Sequence, residues 1–152
     1  MIEIKTGQEI ELNNVISFRG KILQGEIDKI GMDMEMKLCE VGAKRNGYPI
    51  TATYGVDGTT LDIELLLPID KNTGNIGNYV FKKKFKIVNA IVLSYIGNPN
   101  GLHNACNELN KYIVENNLQP ITVGYNVTKK VDTLNIDNTE IDVYVGINPN
   151  IL

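Results

Sequence analysis

Pro49-Ile50-Thr51-Ala52-Thr53-Tyr54 returns further along the chain as Pro120-Ile121-Thr122-Val123-Gly124-Tyr125, with Pro, Ile, Thr and Tyr in the same places. The offset is 71 residues, from 49 to 120, and at that offset Leu38 falls on Leu109. Downstream of each copy lies an alternating apolar run of the kind that forms a half-buried strand. Leu61-Asp62-Ile63-Glu64-Leu65-Leu66-Leu67-Pro68-Ile69 matches Thr139-Glu140-Ile141-Asp142-Val143-Tyr144-Val145-Gly146-Ile147, now 78 residues on, from 61 to 139. The extra length is a longer second hairpin around Thr128-Lys129-Lys130. Self-similarity of this kind is the signature of a repeated unit.

Working outward, Val15-Ile16-Ser17-Phe18 reads as a strand that Gly20 ends. Leu23, Ile27, Ile30, Met34, Leu38 and Val41 recur every three or four residues and predict a helix from about 21 to 43. Gly47 is placed to take the left-handed position beyond its end. Strands over 50–54 and 61–67 follow, joined by the hairpin signal Asp57-Gly58. Residues 68–78 are a linker of loop composition. A strand over 85–95, a helix from Leu102 to Ile113 with Asn100 as its cap, and strands over 121–127 and 141–147 complete a second unit. The expected fold class is α+β: duplicated β-α-β-β units of about 8–69 and 79–152 in a single domain, 1–152. The units form two antiparallel sheets, each backed by a helix, with a central cleft on a pseudo-twofold axis.

Composition narrows the function classes. The 152 residues carry 15 Lys+Arg against 18 Asp+Glu, a net charge of −3, one His and two Cys. An acidic balance without a basic face disfavours direct nucleic-acid binding. Two cysteines make no disulfide scaffold. There is no leader-like start and no apolar run long enough to span a membrane. A soluble cytoplasmic protein is expected, and the abundance of Asn, Ile and Lys suggests an AT-rich bacterial genome.

Phe18-Arg19-Gly20, Leu67-Pro68-Ile69, Tyr95-Ile96-Gly97 and Thr139-Glu140-Ile141, in that order and spacing, resemble the GyrI-like family, the effector-binding domain of bacterial transcription activators built as a duplicated SHS2-type module. The resemblance implies the two β-α-β-β units already described. It also implies a central cleft that binds small, lipophilic and often cationic molecules. Some relatives are fused to DNA-binding helices and some stand alone; the fold takes up the whole of this chain, so a stand-alone member is expected. One branch inhibits DNA gyrase and another hydrolyses reactive lipophilic toxins. The family glutamate that meets a cationic ligand lies two residues before the tyrosine of the strand after the second helix. Here that tyrosine is Tyr125 and the matching residue is Val123, which carries no charge. Gly146 departs too, where the family commonly has proline.

The candidate ligand-binding residues are Phe18, Tyr54, Glu64, Tyr95, Tyr125, Asp142 and Tyr144. Under the repeat Tyr54 pairs with Tyr125, Phe18 with Tyr95, and Leu66 with Tyr144, so aromatic walls would flank a cleft and attract planar or cationic ligands. Tyrosine also simply suits strands. Glu64 and Asp142 share a face with Leu66 and Tyr144, and either could supply the charge that Val123 lacks. That face looks into the cleft or into water, and exposed strand surface is the simpler expectation, because Leu61, Ile63, Leu65 and Leu67 mark the helix-covered face. Asp62 and Glu140 pair in the same way.

Other motifs read as structure. His103 lies three residues from Cys106, but Cys106 belongs to the apolar stripe, and no spacing suits a metal. Of Met32, Met34 and Met36 at least one should be exposed, as core plasticity or as an apolar patch. Lys82-Lys83-Lys84 with Lys86 reads as charge that blunts a strand edge. No glycine pattern forms a phosphate loop. The expected function is a small-molecule binding protein that senses or sequesters a lipophilic compound, with no cofactor and no catalytic residues. A protein-interaction module and a hydrolase of reactive toxins are the alternatives. Glu64, Asp142 and Glu140 are the hydrolase's only candidate bases.

Overall fold

The computed structural model describes residues 2–150. Six strands and two helices make an α+β structure: β1 (Ile2–Leu23), α1 (Ile27–Glu40), β2 (Ile50–Asp57), β3 (Thr60–Pro68), β4 (Val80–Gly97), α2 (Leu102–Glu115), β5 (Tyr125–Lys130) and β6 (Thr139–Gly146). Two compact units emerge. The first is Glu11–Lys86; the second comprises residues 2–10 and 87–150. The long strands β1 and β4 each contribute residues to both.

In the first unit β3 lies antiparallel between β1 and β2. Residues directly opposite each other share a face. Phe18 faces Leu65 and Ile16 faces Leu67, and this face receives Met34 and Leu38 of α1. Each such apolar side chain, once buried, stabilises the unit by about 1.5–3 kcal/mol. In the second unit β6 lies antiparallel between β4 and β5, and Ile91, Leu93, Val143 and Val145 pack against Ala105, Leu109 and Ile113 of α2.

The helix predicted from residue 21 begins instead at Ile27. Ile22 and Leu23 satisfy both a helical and a strand pattern, and their backbone goes to β3, opposite Leu61 and Thr60. Gly20 does not end the strand; it makes room for the Phe18 ring, since a Cβ there would lie 3.0 Å from it. The helix stops at Glu40, not Ala43, because Gly42 takes the left-handed turn (φ +74°) and returns the Ala43 N–H to the Leu38 carbonyl at 2.9 Å. Asn98, not Asn100, caps the short 3-10 turn Pro99–Gly101 that leads into α2, its side chain accepting the Asn100 N–H at 2.9 Å, and α2 itself follows Gly101 without a side-chain cap. β4 begins at Val80, five residues earlier than expected, and takes in the lysine run.

The two units follow the same internal course, at a spacing the repeated motif does not have. Left-handed Asn14 (φ 62°) accepts the Ile69 N–H at 2.9 Å, and left-handed Asn89 (φ 52°) accepts the Ile147 N–H at 3.1 Å. Arg45 bridges Ile69 as Pro120 bridges Ile147. The helices start at 27 and 102. Each match up to the hairpin is 75 residues apart, not 71, so Met34 corresponds to Leu109 and Leu38 to Ile113. Ile50 faces Leu66 as Tyr125 faces Tyr144. Tyr54 and Tyr125 are therefore not equivalent positions. Phe18, opposite Leu65, corresponds to Leu93, opposite Val143, and not to Tyr95. The stretch before each short strand is built alike: the Asn46 N–H donates to the Pro68 carbonyl at 3.0 Å as the Ile121 N–H donates to the Gly146 carbonyl at 2.8 Å, so β2 at Ile50 and β5 at Tyr125 start at the same point of their units.

Candidate functional site

The face of the first sheet turned away from α1 carries Ser17 and Arg19 from β1, Asp62, Glu64 and Leu66 from β3, and Ile50 and Ala52 from β2. It is not the water-facing surface expected for Glu64. Leu66 and Ile50 are fully buried, and Glu64 is only 7% exposed. A buried carboxylate needs partners for its charge, and Glu64 has three. It accepts the Ser17 hydroxyl at 2.9 Å, the Tyr54 hydroxyl at 3.1 Å and the Lys82 ammonium at 2.7 Å. Burial pushes the Glu64 carboxyl up, but Lys82, Ser17 and Tyr54 together outweigh it and hold the group below its ordinary value.

Tyr54 reaches Glu64 because β2 bulges. The register shifts between Thr53 and Gly55, which leaves Tyr54 outside the regular ladder. The Arg19 guanidinium stacks over its ring, 3.5 Å from the centroid. Arg19 also binds both carboxylate oxygens of Asp62, at 3.1 and 3.2 Å. Beside Asp62 a hollow of about 280 Å³ opens at the β2–β3 hairpin, lined by Lys21, Gly55, Val56, Asp57, Thr60 and Asp62. Gly58 (φ +60°) supplies the turn that Asp57-Gly58 predicted.

In the second unit Tyr125, Asp142 and Tyr144 share the face turned away from α2: Tyr125 faces Tyr144, and Asp142 faces Ser94 and Val127. Asp142 pairs with Lys129 at 3.4 Å. Burial first, and then the Asp142 charge, raise the Tyr144 hydroxyl above its ordinary value.

Phe18 and Tyr95 lie on the other face. Phe18 packs into the α1 core and meets the Tyr79 ring edge-on at 6.3 Å. Tyr79 donates to Asp33; burial and that carboxylate push its hydroxyl up to about 12. Tyr95 belongs to the α2 core and donates to the Asn98 carbonyl at 2.5 Å. A Cβ at Gly97 would lie 2.7 Å from the Tyr95 hydroxyl, so Tyr-Ile-Gly is a packing motif. Cys106 packs on the same core and burial raises its thiol. Met34 is buried while Met32 and Met36 are exposed. No cluster of three or more metal-ligating side chains exists among the described residues. Nor is any described helix long and apolar enough to cross a membrane.

Sequence reasoning missed Ser17, Arg19 and Lys82. In the sequence Lys82 reads as edge protection with the rest of its run. Lys84 and Lys86 do pair with exposed-side Glu11, at 2.9 and 3.6 Å, but Lys82 turns to the buried carboxylate. Period-two alternation from Lys82 through Lys84 to Lys86 groups all three on one face and does not separate them.

No family model and no curated protein matches the chain. Solved structures do. EcmrR in a complex with DNA aligns with a TM-score of 0.79 at 17% identity over 97% of this chain, which spans 57% of that longer chain. The EcmrR C-terminal domain alone aligns with a TM-score of 0.76 at 13% identity, over 97% of this chain and 98% of that one. A hydrolase from Listeria innocua aligns at 0.63 and 11% identity, over 97% and 91%. SAV2435 bound to tetraphenylphosphonium aligns at 0.55 and 9%, over 98% and 94%. At these identities the likeness concerns the fold alone: the chain has the architecture of the EcmrR C-terminal domain.

Proposed function

We propose that this protein binds a small lipophilic cation on the face of the first sheet that carries Glu64 and Tyr54. The observation that carries the reading is the buried, ionised Glu64 carboxylate set among apolar Ile50, Ala52 and Leu66. An apolar site with one well-placed charge is the common form of a small-molecule pocket. SAV2435, which shares the fold, has been seen with tetraphenylphosphonium bound. We also propose that the two units are duplicated SHS2-type modules within a single GyrI-like domain, supported by 75-residue correspondences: the register shift of β2 between Thr53 and Gly55 recurs in β5 between Thr128 and Lys130, and the bridges and helix starts match likewise. Tyr125, Asp142 and Tyr144 then form the second unit's counterpart of the ligand face. Glu64 takes the part of the carboxylate that Val123 lacks.

Binding fits the site better than hydrolysis. A carboxyl group held below its ordinary value by three donors is a weak base, and its lone pairs are engaged. Calorimetric titration with tetraphenylphosphonium chloride tests the reading. Saturable binding with a Kd below about 100 µM, weakened at least roughly tenfold in Glu64→Gln, is expected. Absence of binding at millimolar ligand, or equal binding by Glu64→Gln, would refute it.

A further inference from the structure

We propose that Lys82 is a cation the site carries for itself and that it decides which ligands enter: a ligand meets Glu64 only by replacing the Lys82 ammonium. The inference rests on the reading of Glu64 as the ligand carboxylate.

The three partners of Glu64 are not alike. Ser17 and Tyr54 come from strands that flank β3 in the same sheet. Ser17 is buried, so its position is fixed by packing. Lys82 comes from the start of β4 and reaches Glu64 on a flexible four-carbon stem. Its side chain is 39% exposed, against 9% for that of Glu64. Swinging it aside returns a partly exposed side chain to water and leaves the two hydroxyl donors in place. A second chain cation occupies the other cation-recognising surface, because Arg19 covers the Tyr54 ring at 3.5 Å. A carboxylate and an aromatic face are the two groups that recognise an organic cation. Here both are already engaged by the chain's own cations.

The consequence is selectivity by apolar surface. A small hydrated cation offers Glu64 nothing that Lys82 does not, and it lacks the advantage of being tethered. A bulky apolar monocation brings buried hydrocarbon as well as charge, and so can displace the lysine. The negative charge at Val123 that the family pattern would have supplied is not needed if Glu64 is kept ionised, and Lys82 does that in the empty site.

The experiment is titration at pH 8 of wild type, Lys82→Met, Lys83→Met and the Glu64→Gln/Lys82→Met pair with tetraphenylphosphonium, then with tetramethylammonium. Removing the competing ammonium should tighten tetraphenylphosphonium binding about ten- to hundredfold, the worth of a charge-assisted hydrogen bond that no longer has to be broken. Lys83 is exposed and points to the other side of the strand, so Lys83→Met should stay within about twofold. In the Glu64→Gln background Lys82→Met should change nothing, and tetramethylammonium should not bind wild type. Binding by wild type that is unchanged or weaker in Lys82→Met, or equally tightened in Lys83→Met, overturns the inference and leaves the reading of Glu64 standing. Absence of binding by every variant overturns both. Thermal melts check folding, and Lys82→Gln serves in the same comparison should Lys82→Met lack a cooperative melt.

Discussion

Glu64 of β3 and Asp142 of β6 stand at matching points of their sheets. Each faces a residue of the long strand, Arg19 or Ser94, and a residue of the short strand, Ala52 or Val127. Glu64 is buried under three donors; Asp142 keeps 15% of its side chain exposed and meets Lys129 at 3.4 Å. The neighbours explain the difference. Leu66 next to Glu64 is fully buried, whereas Tyr144 at the matching place is only partly so. The β2 bulge brings Tyr54 to Glu64, and the long β4 brings Lys82. Backbone register thus fixes where a carboxylate stands in the sheet. Its surroundings decide whether that carboxylate is held by three donors or by one longer ion pair.

The helix-covered faces should not differ in this way, and that gives the largest expected effects. Leu38 and Ile113 occupy equivalent positions and are 1% and 6% exposed. Leu38→Ala and Ile113→Ala should each lose roughly 2–5 kcal/mol in urea unfolding. Values differing by more than about 2 kcal/mol would break the equivalence. The carboxylate faces should diverge. Glu64→Ala leaves the Ser17 and Tyr54 hydroxyls without their acceptor and should cost about 1–3 kcal/mol, while Asp142→Ala should cost under about 1 kcal/mol. Equal losses would mean that the three-donor network contributes nothing beyond a single ion pair.

A pH series sharpens the same contrast. The folded-state pKa of Glu64 lies below its ordinary value of 4.5. The stability it contributes is therefore fully present above that value and is lost as pH falls through the lowered folded value. Wild type should exceed Glu64→Gln by a constant margin at neutral pH, about 1 kcal/mol. The margin should shrink below pH 4.5. A margin that persists unchanged into strong acid would mean that the ionised form has no favoured partner in the fold.

Much of this architecture was legible in the chain, though for a partly mistaken reason. Apolar alternation over Leu61–Leu67 and Ile141–Ile147 placed the central strands and named the helix-covered face correctly. The match that announced a repeat, Pro-Ile-Thr with its tyrosine, is out of register by four residues. Short identity is cheap in strand-forming sequence: Ile50 opens β2, whereas Ile121 lies four residues before the start of β5. The positions that do correspond, Asn14 with Asn89 and Gly42 with Asn117, share a left-handed backbone. Asparagine and glycine both tolerate that conformation, so the equivalence is conformational where the letters differ. The site was half legible. Period two put Glu64 and Asp142 on the face opposite the helices. It could not show that the first would be buried, because burial there depends on what lies against the face. Phe18 and Tyr95 were misplaced by assigning aromatics to a cleft without using their own strand parity: Phe18 alternates with Ser17 and Arg19, and so must face α1.

The smallest expected effect lies at the other carboxylate. Lys129 is 41% exposed at its side chain and sits 3.4 Å from Asp142. An ion pair of that kind gains little from Coulomb attraction in water and loses side-chain freedom when formed, so it is worth about 0–1 kcal/mol and is weakened by salt. Lys129→Met should change unfolding free energy by less than about 0.5 kcal/mol, and 1 M NaCl should erase even that. Lys82→Met, measured without ligand, removes a charge-assisted hydrogen bond of 2.7 Å to a buried acceptor, and its cost should survive salt because a direct contact of that length is screened less than a looser pair. If salt abolished the Lys82→Met effect as completely as that of Lys129→Met, the Lys82–Glu64 bond would have to be as loosely made as the Lys129–Asp142 pair. The distinction between a three-donor network and a single ion pair would then fail at the group on which it depends most.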